Sequence, residues 1–313
     1  MIAGRDAIVR VRVDVPAGWT TGDVELAVDV VANGATRTFT AVETVTESSD
    51  AADPESGLVA AIPADALVDG AEYAVRLLDP SQEWARIPAS GTLALDLLVT
   101  GPLELRVIPF EVDGLVPDTS QAVLDGYRAA LLATYPVADV TITVGDVEPW
   151  TGPFDLGDIN VRVGELQEQA MFAGDIGWSV YFYGMVLAAP TREEWEGATG
   201  TSEDGGDGEL VRAYFAAGAA FGDQKSEDTL IHELGHVHGL EHAPCDGEDD
   251  VDPAFPYADG TIGVEGYDLR TGAFVPATTK DMMSYCYPRW ISDYGFAKIA
   301  PHVAAAQDYQ GYE

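Results

Sequence analysis

An α+β fold of two domains is what the amino-acid sequence predicts, and three observations lead to that prediction. The chain has 313 residues, a comfortable length for two domains. Its first hundred or so residues are rich in short β-type runs separated by turn signals. After residue 101, strand-like and helix-like patterns alternate. We therefore expect an accessory domain at residues 1–101 and a larger domain at residues 102–313.

The first domain has the pattern of an antiparallel β-sandwich. Residues 7–13 alternate between apolar and polar side chains, which is typical of a half-buried strand. Turn signals such as Asn33-Gly34 and Asp69-Gly70 separate the later runs. Those runs lie near residues 24–31, 35–42, 58–62, 71–78 and 92–99. Short strands at this spacing favour a sandwich of immunoglobulin type.

The second domain is expected to begin after Thr100-Gly101-Pro102. Ser120, with the polar residues before it, can cap a helix that runs to about Thr134. Residues 191–209 are polar, Gly-rich and acidic, which indicates an exposed loop. The other predicted elements are strands at 103–110, 140–144 and 180–187 and a helix at 159–172.

The charge of the chain excludes one class of partner. The sequence has 53 acidic residues against 16 basic residues, for a formal net charge of −37. Nucleic-acid binding needs clusters of Lys and Arg, so we expect no nucleic-acid partner. No run of about 18 apolar residues occurs, so we expect no transmembrane segment. The first residues lack the basic and apolar regions of a signal peptide, so none is expected in this chain.

Four of the five histidines lie in one eleven-residue window that reads H-E-x-x-H-x-x-G-x-x-H. His232 and His236 are four residues apart, so on a helix both imidazoles point to one side. Glu233 lies beside them, close enough to hold a water molecule. Gly239 allows a left-handed turn that ends the helix and brings His242 back as a third ligand.

This arrangement is typical of a catalytic zinc site. Three protein ligands leave a fourth position open for water, whereas structural zinc sites use four protein ligands. We therefore expect Zn²⁺ at His232, His236 and His242, with Glu233 as the general base toward a zinc-bound water. The expected reaction is hydrolysis of peptide bonds. A helix that merely carries histidines, and an inactive relative, are the alternatives.

The remainder of the predicted helix fits that interpretation. Ser226 can cap the helix, with acidic residues in its first turn. Apolar residues fall on the side opposite His232 and His236, so one face can pack while the other lines a cleft. His238 points toward the packed face, and we expect a hydrogen-bonded core histidine there rather than a ligand.

The motif resembles that of the metzincins, a clan of zinc endopeptidases. The segment Asp281-Met282-Met283-Ser284-Tyr285-Cys286 is similar to the Met-turn of that clan, in which Met283 would lie beneath the zinc ligands. The resemblance implies a zincin-like catalytic domain and a catalytic role for Tyr285; the alternative is a tyrosine that only packs beside the turn. Flanking residues resemble bacterial secreted or surface members. Ala243 replaces an acidic residue found in some metzincin families, and no subfamily is assigned.

The two cysteines are expected to form a disulfide. Cys245 follows the third ligand and Cys286 follows the Met-turn, and both elements must converge on the zinc. A disulfide suits an extracellular or cell-surface location, which we expect for this protein. Two reduced thiols in a cytosolic protein are the alternative.

The partners expected are a protein or glycoprotein substrate, and we expect a monomer. The acidic run at residues 246–252 could bind Ca²⁺, although it lacks the glycine of an EF-hand loop, and a solvated loop is the alternative. Two other functions are a binding module that holds a metal, and an adhesin whose β-sandwich is the working part. The presence of Glu233 favours the peptidase, because a binding module has no use for a general base.

Overall fold

The computed structural model of the protein describes residues 1–50, 53, 55–79, 82–202, 214–245 and 251–308. The described residues form a mixed α+β structure, as predicted, with several sheets and four α-helices. No helix among them is long and apolar enough to cross a bilayer. The helices are α1 (Gln121–Thr134), α2 (Leu156–Ala173), α3 (Gln224–Val237) and α4 (Asp293–Asp308).

The strands are short apart from three of eleven residues each. In chain order they are β1 (Ala7–Val11), β2 (Gly22–Ala32), β3 (Ala35–Val45), β4 (Leu58–Ile62), β5 (Glu72–Asp79), β6 (Gln82–Ile87), β7 (Leu93–Ala94), β8 (Pro102–Val112), β9 (Asp139–Val144), β10 (Glu148–Trp150), β11 (Tyr181–Val186), β12 (Gly200–Ser202), β13 (Phe215–Ala219), β14 (Gly266–Asp268), β15 (Ala273–Val275), β16 (Lys280–Asp281) and β17 (Arg289–Trp290).

The internal contacts divide the chain into two compact units, and the first is built from antiparallel strands. It contains Met1–Val99 together with Tyr267–Pro276. One sheet has the order β3-β2-β5-β6, with β7 also beside β5, and a second sheet pairs β1 with β4. Leu26 and Val28 of β2 share one core with Leu58 of β4. The immunoglobulin-type topology stays a prediction.

The segment Tyr267–Pro276 lies with the first unit, whereas the sequence assigns it to residues 102–313. Its contacts explain the difference. The Arg10 guanidinium lies over the Phe274 ring, 4.5 Å from the ring centroid. The Tyr267 ring packs edge-on against the Phe274 ring, with 5.0 Å between the two centroids. Sequence patterns report local structure, so they do not reveal such a distant pairing. That residues 1–101 and 102–313 are separate domains stays a prediction.

The second unit, Thr100–Gly266 with Ala277–Glu313, is organised around a six-stranded sheet. The main path runs β10-β8-β11-β13-β12, with β9 also paired to β8. All pairs are parallel except β12 with β13. Every residue of β11 is buried, as expected for a parallel strand covered on both faces.

Successive side chains of β11 point to opposite faces of the sheet, and the two faces pack against different helices. Phe182 and Val186 pack in the cluster that contains α2, whereas the Tyr183 ring contacts Tyr127 of α1 edge-on. The helix α3 packs against β13 and the edge strand β12. It therefore lies beside the β12 edge of the sheet. The metzincin-type topology of this unit stays a prediction.

Candidate active site

The helix α3 begins earlier than the sequence predicts. Asp223 is its N-cap, and its carboxylate accepts a hydrogen bond of 3.0 Å from the backbone N–H of Ser226. The prediction that Ser226 caps the helix was wrong, because its hydroxyl is buried and already accepts the N–H of Phe221 at 2.9 Å. At the other end Gly239 has φ of 73°, the left-handed turn that the motif predicts. The start of α3 is therefore fixed by hydrogen bonds among Phe221, Asp223 and Ser226.

Three histidine side chains converge at the end of this helix. Nε2 of His236 lies 3.2 Å from Nε2 of His232 and 3.2 Å from Nε2 of His242. One nitrogen from each ring lies within 4.8 Å of the others, which is close enough to hold one metal ion. Nitrogens that are each about 2.1 Å from a tetrahedral zinc lie roughly 3.4 Å apart. The three residues predicted as ligands are therefore together, at a spacing that fits zinc.

The protonation of two rings also fits a metal. Nδ1 of His232 faces the carbonyl oxygen of Met282 at 3.0 Å, and Nδ1 of His236 faces that of Leu240 at 2.7 Å. Each Nδ1 must carry the hydrogen, so each Nε2 presents a lone pair. Burial lowers the pKa of His232 to about 3, which keeps that ring neutral. Two lone pairs that face each other repel unless a cation lies between them.

His238 is not part of this cluster, as the sequence predicts. Its ring is fully buried, and its Nδ1 donates to the carbonyl oxygen of Leu234 at 2.5 Å. Its Nε2 accepts a hydrogen bond of 2.9 Å from the Tyr181 hydroxyl. Burial lowers the pKa of His238 to about 3. The prediction of a hydrogen-bonded core histidine is confirmed.

The turn at residues 281–286 lies directly beneath α3. The side chain of Met283 is buried, and a Cβ added to Gly235 would collide with its sulfur atom. The buried carboxylate of Asp281 organises the turn by accepting N–H groups from Met283 at 2.7 Å and Ser292 at 2.9 Å. The carbonyl of Met282 is the group that orients His232. The turn therefore supports the helix and one ligand at once.

The third predicted ligand, His242, lies on a loop that is attached at several points. The N–H of Ala243, next to His242, donates to the carbonyl oxygen of Met283 at 3.2 Å. The structure contains the disulfide between Cys245 and Cys286, which joins this loop to the segment after the turn. The N–H of Asp252 donates to the carbonyl oxygen of His242 at 2.9 Å. These bonds hold His242 near the helix although it is outside it.

Calcium is not supported at the acidic run that follows. Residues 246–250 lie outside the described residues. The carboxylate of Asp252 accepts a hydrogen bond of 2.7 Å from the Tyr294 hydroxyl and lies 3.4 Å from Nζ of Lys298. The one described carboxylate of this run is therefore occupied by protein groups.

The carboxylate predicted as general base is buried beside the histidines. Glu233 is only 7% exposed and lines a cleft of about 490 Å³ together with His232. The edge strand β12 passes close to it, and any Cβ at Gly200 would overlap the Glu233 side chain. Gly200 therefore leaves the space that the carboxylate occupies. The sequence gives no sign of this role for Gly200, because the polar and Gly-rich pattern of residues 191–209 indicates an exposed loop.

The change Gly200→Ala should reduce turnover with little effect on folding. The added methyl group meets the flexible end of Glu233, so the carboxylate shifts while the backbone stays in place. A displacement of about 1 Å at a catalytic group costs up to roughly 100-fold in rate. Gly177→Ala is the matched control, since the atom nearest to its new methyl lies 3.9 Å away. Equal kcat values for the two variants, with melting temperature measured alongside, would contradict a positioning role for Gly200.

Tyr285 lies at the mouth of the same cleft. Its hydroxyl is 3.0 Å from Nε2 of His242, and its side chain is 57% exposed. A phenol in this place can reach both the metal position and a bound substrate. Its predicted position near the zinc ligands is therefore compatible with the structure, whereas its catalytic role stays a proposal.

Comparison with known proteins gives one family and one group of relatives. The model of the family Peptidase M66 matches residues 195–292, which include the histidines and the turn. Dictomallein of Burkholderia pseudomallei and dictomallein of Burkholderia mallei are each 27% identical over 266 residues. That alignment covers 74% of this chain and 36% of each relative, so the chain spans little more than a third of their length. Together with the histidine cluster, the family match supports a metallopeptidase.

Solved structures give weaker similarities. Metalloproteinase-II from Bacteroides fragilis aligns with a TM-score of 0.35 at 10% sequence identity, covering 96% of this chain and 92% of that chain. A structure described as a chaperone-substrate complex aligns with a TM-score of 0.37 at 12% identity, over 82% of this chain and 40% of the other. Both scores are too low to show a shared fold.

Proposed function

We propose that the protein is a zinc-dependent endopeptidase of metzincin type that hydrolyses peptide bonds in protein or glycoprotein substrates. The observation that carries this proposal is the convergence of the Nε2 atoms of three imidazole rings. In two of these rings, Nδ1 donates a hydrogen bond to a backbone carbonyl oxygen. Three imidazole nitrogen donors fit zinc and leave a coordination position open. His232, His236 and His242 would hold the ion.

The chemistry divides between the ion and the chain. A bound zinc ion would supply Lewis-acid chemistry toward a water molecule and the scissile carbonyl. Glu233 accepts the proton that the attacking water loses and then delivers it to the leaving amine. Its burial beside His232 favours proton transfer, because few competing waters reach it. The Tyr285 hydroxyl, near His242, donates a hydrogen bond to the oxyanion as it forms.

The metal content is the direct test of this function. We expect about one zinc ion per chain in the purified protein, and loss of peptidase activity with a chelator. His236→Ala removes the nitrogen common to both short contacts, so it should abolish zinc binding. The control variant His302→Gln removes the one histidine that lies outside the motif, and this variant should still bind zinc. A full zinc complement in His236→Ala would exclude the proposed site.

Tyr285→Phe tests the second proposed catalytic group. A donor used only in the transition state changes kcat and not ground-state binding. We expect kcat to fall about tenfold, equivalent to roughly 1.4 kcal/mol, with unchanged zinc content and melting temperature. Tyr257→Phe is the control, because its exposed hydroxyl donates to Asp293 and Tyr257 is not among the described residues that line the cleft. Wild-type kinetics in Tyr285→Phe would leave the tyrosine with a packing role only.

We also propose an extracellular or cell-surface location. The Cys245–Cys286 disulfide supports this, since disulfides persist in oxidising compartments and are rare in the cytosol. Detection of the protein in the culture medium or on the surface of intact cells, by antibody, would test it.

A further inference from the structure

The described residues that line the cleft beside Glu233 include more basic than acidic side chains, unlike the chain as a whole. The whole sequence has 16 basic residues against 53 acidic residues. Arg192, Lys225 and Arg289 nevertheless line the cleft, and Glu233 is the acidic residue among its described lining residues. Three positive side chains are therefore concentrated where a substrate would bind.

Two of these cations are held by neighbouring groups. Nε of Arg192 lies 2.9 Å from a carboxylate oxygen of Asp223, the cap of α3. Nη2 of Arg289 lies 3.7 Å from a carboxylate oxygen of Asp228, and its Nη1 donates to the carbonyl oxygen of Ser284 at 3.0 Å. Both guanidinium groups are thus fixed in position, and their charges are largely offset by adjacent acids.

Lys225 is different. Its side chain is exposed, and among the described residues no carboxylate lies within 4.0 Å of its ammonium. It precedes His232 by seven residues on α3, so the two side chains are offset by only about 20° around the helix. The rise between them is roughly 10 Å, which an extended peptide covers in about three residues.

We propose that Lys225, with Arg192 and Arg289, forms a subsite for a carboxylate side chain of the substrate. The enzyme then prefers peptides with Asp or Glu two to four residues from the scissile bond. This inference rests on the proposed peptidase function and adds a substrate class to it. The fixed guanidinium groups supply hydrogen-bond donors, and Lys225 supplies a positive charge that no carboxylate of the described residues approaches within 4.0 Å.

The expected preference is moderate. Lys225 is exposed to solvent, so its attraction for a carboxylate is weakened by water and by salt. We expect kcat/KM to be about fivefold higher for a peptide with Glu than for the same peptide with Gln, at low ionic strength. The ratio should fall toward one at about 0.5 M salt, because a pair this exposed is screened.

The experiment uses pairs of fluorogenic peptides that differ only by Glu or Gln, placed at each of four positions on either side of the cleaved bond. Wild type, Lys225→Gln and Lys225→Glu are compared. The Glu-to-Gln ratio should fall to about one in Lys225→Gln and below one in Lys225→Glu. Arg37→Gln is the control, since it removes the same charge from a residue of the first unit that pairs with Asp65.

Failure of the subsite and failure of the peptidase function give different results. If wild type cleaves peptides with a ratio of one at every position, or if Lys225→Gln keeps the wild-type ratio, the subsite is wrong and the peptidase stands. If wild type cleaves nothing, binding of the same peptides is measured by fluorescence anisotropy on the zinc-loaded protein. Tighter binding of the Glu peptide that Lys225→Gln removes would then support the subsite alone, and equal binding would overturn it.

Discussion

Glu233→Gln should lose about three orders of magnitude in kcat while it keeps its zinc and its fold. The substitution preserves the shape of the side chain but removes its ability to accept a proton. Positioned general acid–base groups contribute roughly 100- to 10,000-fold to rate. The carboxylate is buried in the cleft wall beside His232 and close to Gly200, so no other group can take its place easily.

The measurement pairs turnover on one peptide with metal analysis and thermal melting. Glu241→Gln is a close control, because it makes the same charge change at an exposed residue immediately before the third ligand. It should keep kcat within about twofold, as expected for a surface change outside the chemistry. Turnover of Glu233→Gln at the level of Glu241→Gln would show that proton transfer does not pass through Glu233.

Removal of the disulfide should have the largest effect on stability. Cys245 and Cys286 are 41 residues apart in sequence, and in the chain-entropy model a loop of this size contributes about 4 kcal/mol. The double change to Ser should lower the melting temperature by roughly 10 °C, given the size of the second unit. Because the bond holds the loop of His242 beside the turn of Met283, zinc affinity should fall as well.

Reduction provides an independent form of the same experiment. Wild type treated with a thiol reductant should melt at the temperature of the double variant, and the reductant should leave the variant unchanged. Zinc affinity is measured by competition with a chromogenic chelator. An unchanged melting temperature in the variant would mean that the loop is held by its hydrogen bonds alone.

The centre of the site could be predicted from the sequence because its geometry is local. Two histidines four residues apart must share a helix face, and Gly239 can end the helix in a left-handed turn. The same helical period places His238 on the packed face, away from the predicted ligands His232 and His236. These conclusions needed no knowledge of the rest of the fold.

The wall of the cleft could not be predicted, because distant contacts determine it. The strand β12 has three residues, Gly-Thr-Ser, and only its pairing with β13 makes it a strand. Both Asp223 and Ser226 are good capping residues, and the choice between them depends on Arg192, which bonds to both. The cations near the cleft are separated by up to 97 positions in the sequence, from 192 to 289, so no local pattern relates them.

The grouping of Tyr267–Pro276 with the first unit has a consequence for the order of events on the ribosome. The first unit cannot be completed until Pro276 has emerged, long after Val99. At translation rates of about 5 to 20 residues per second, that delay is roughly 9 to 35 s. The histidines emerge before Met283, whose neighbour's carbonyl orients His232. A nascent chain therefore displays the helix α3 for some seconds before the turn that supports it has been synthesised.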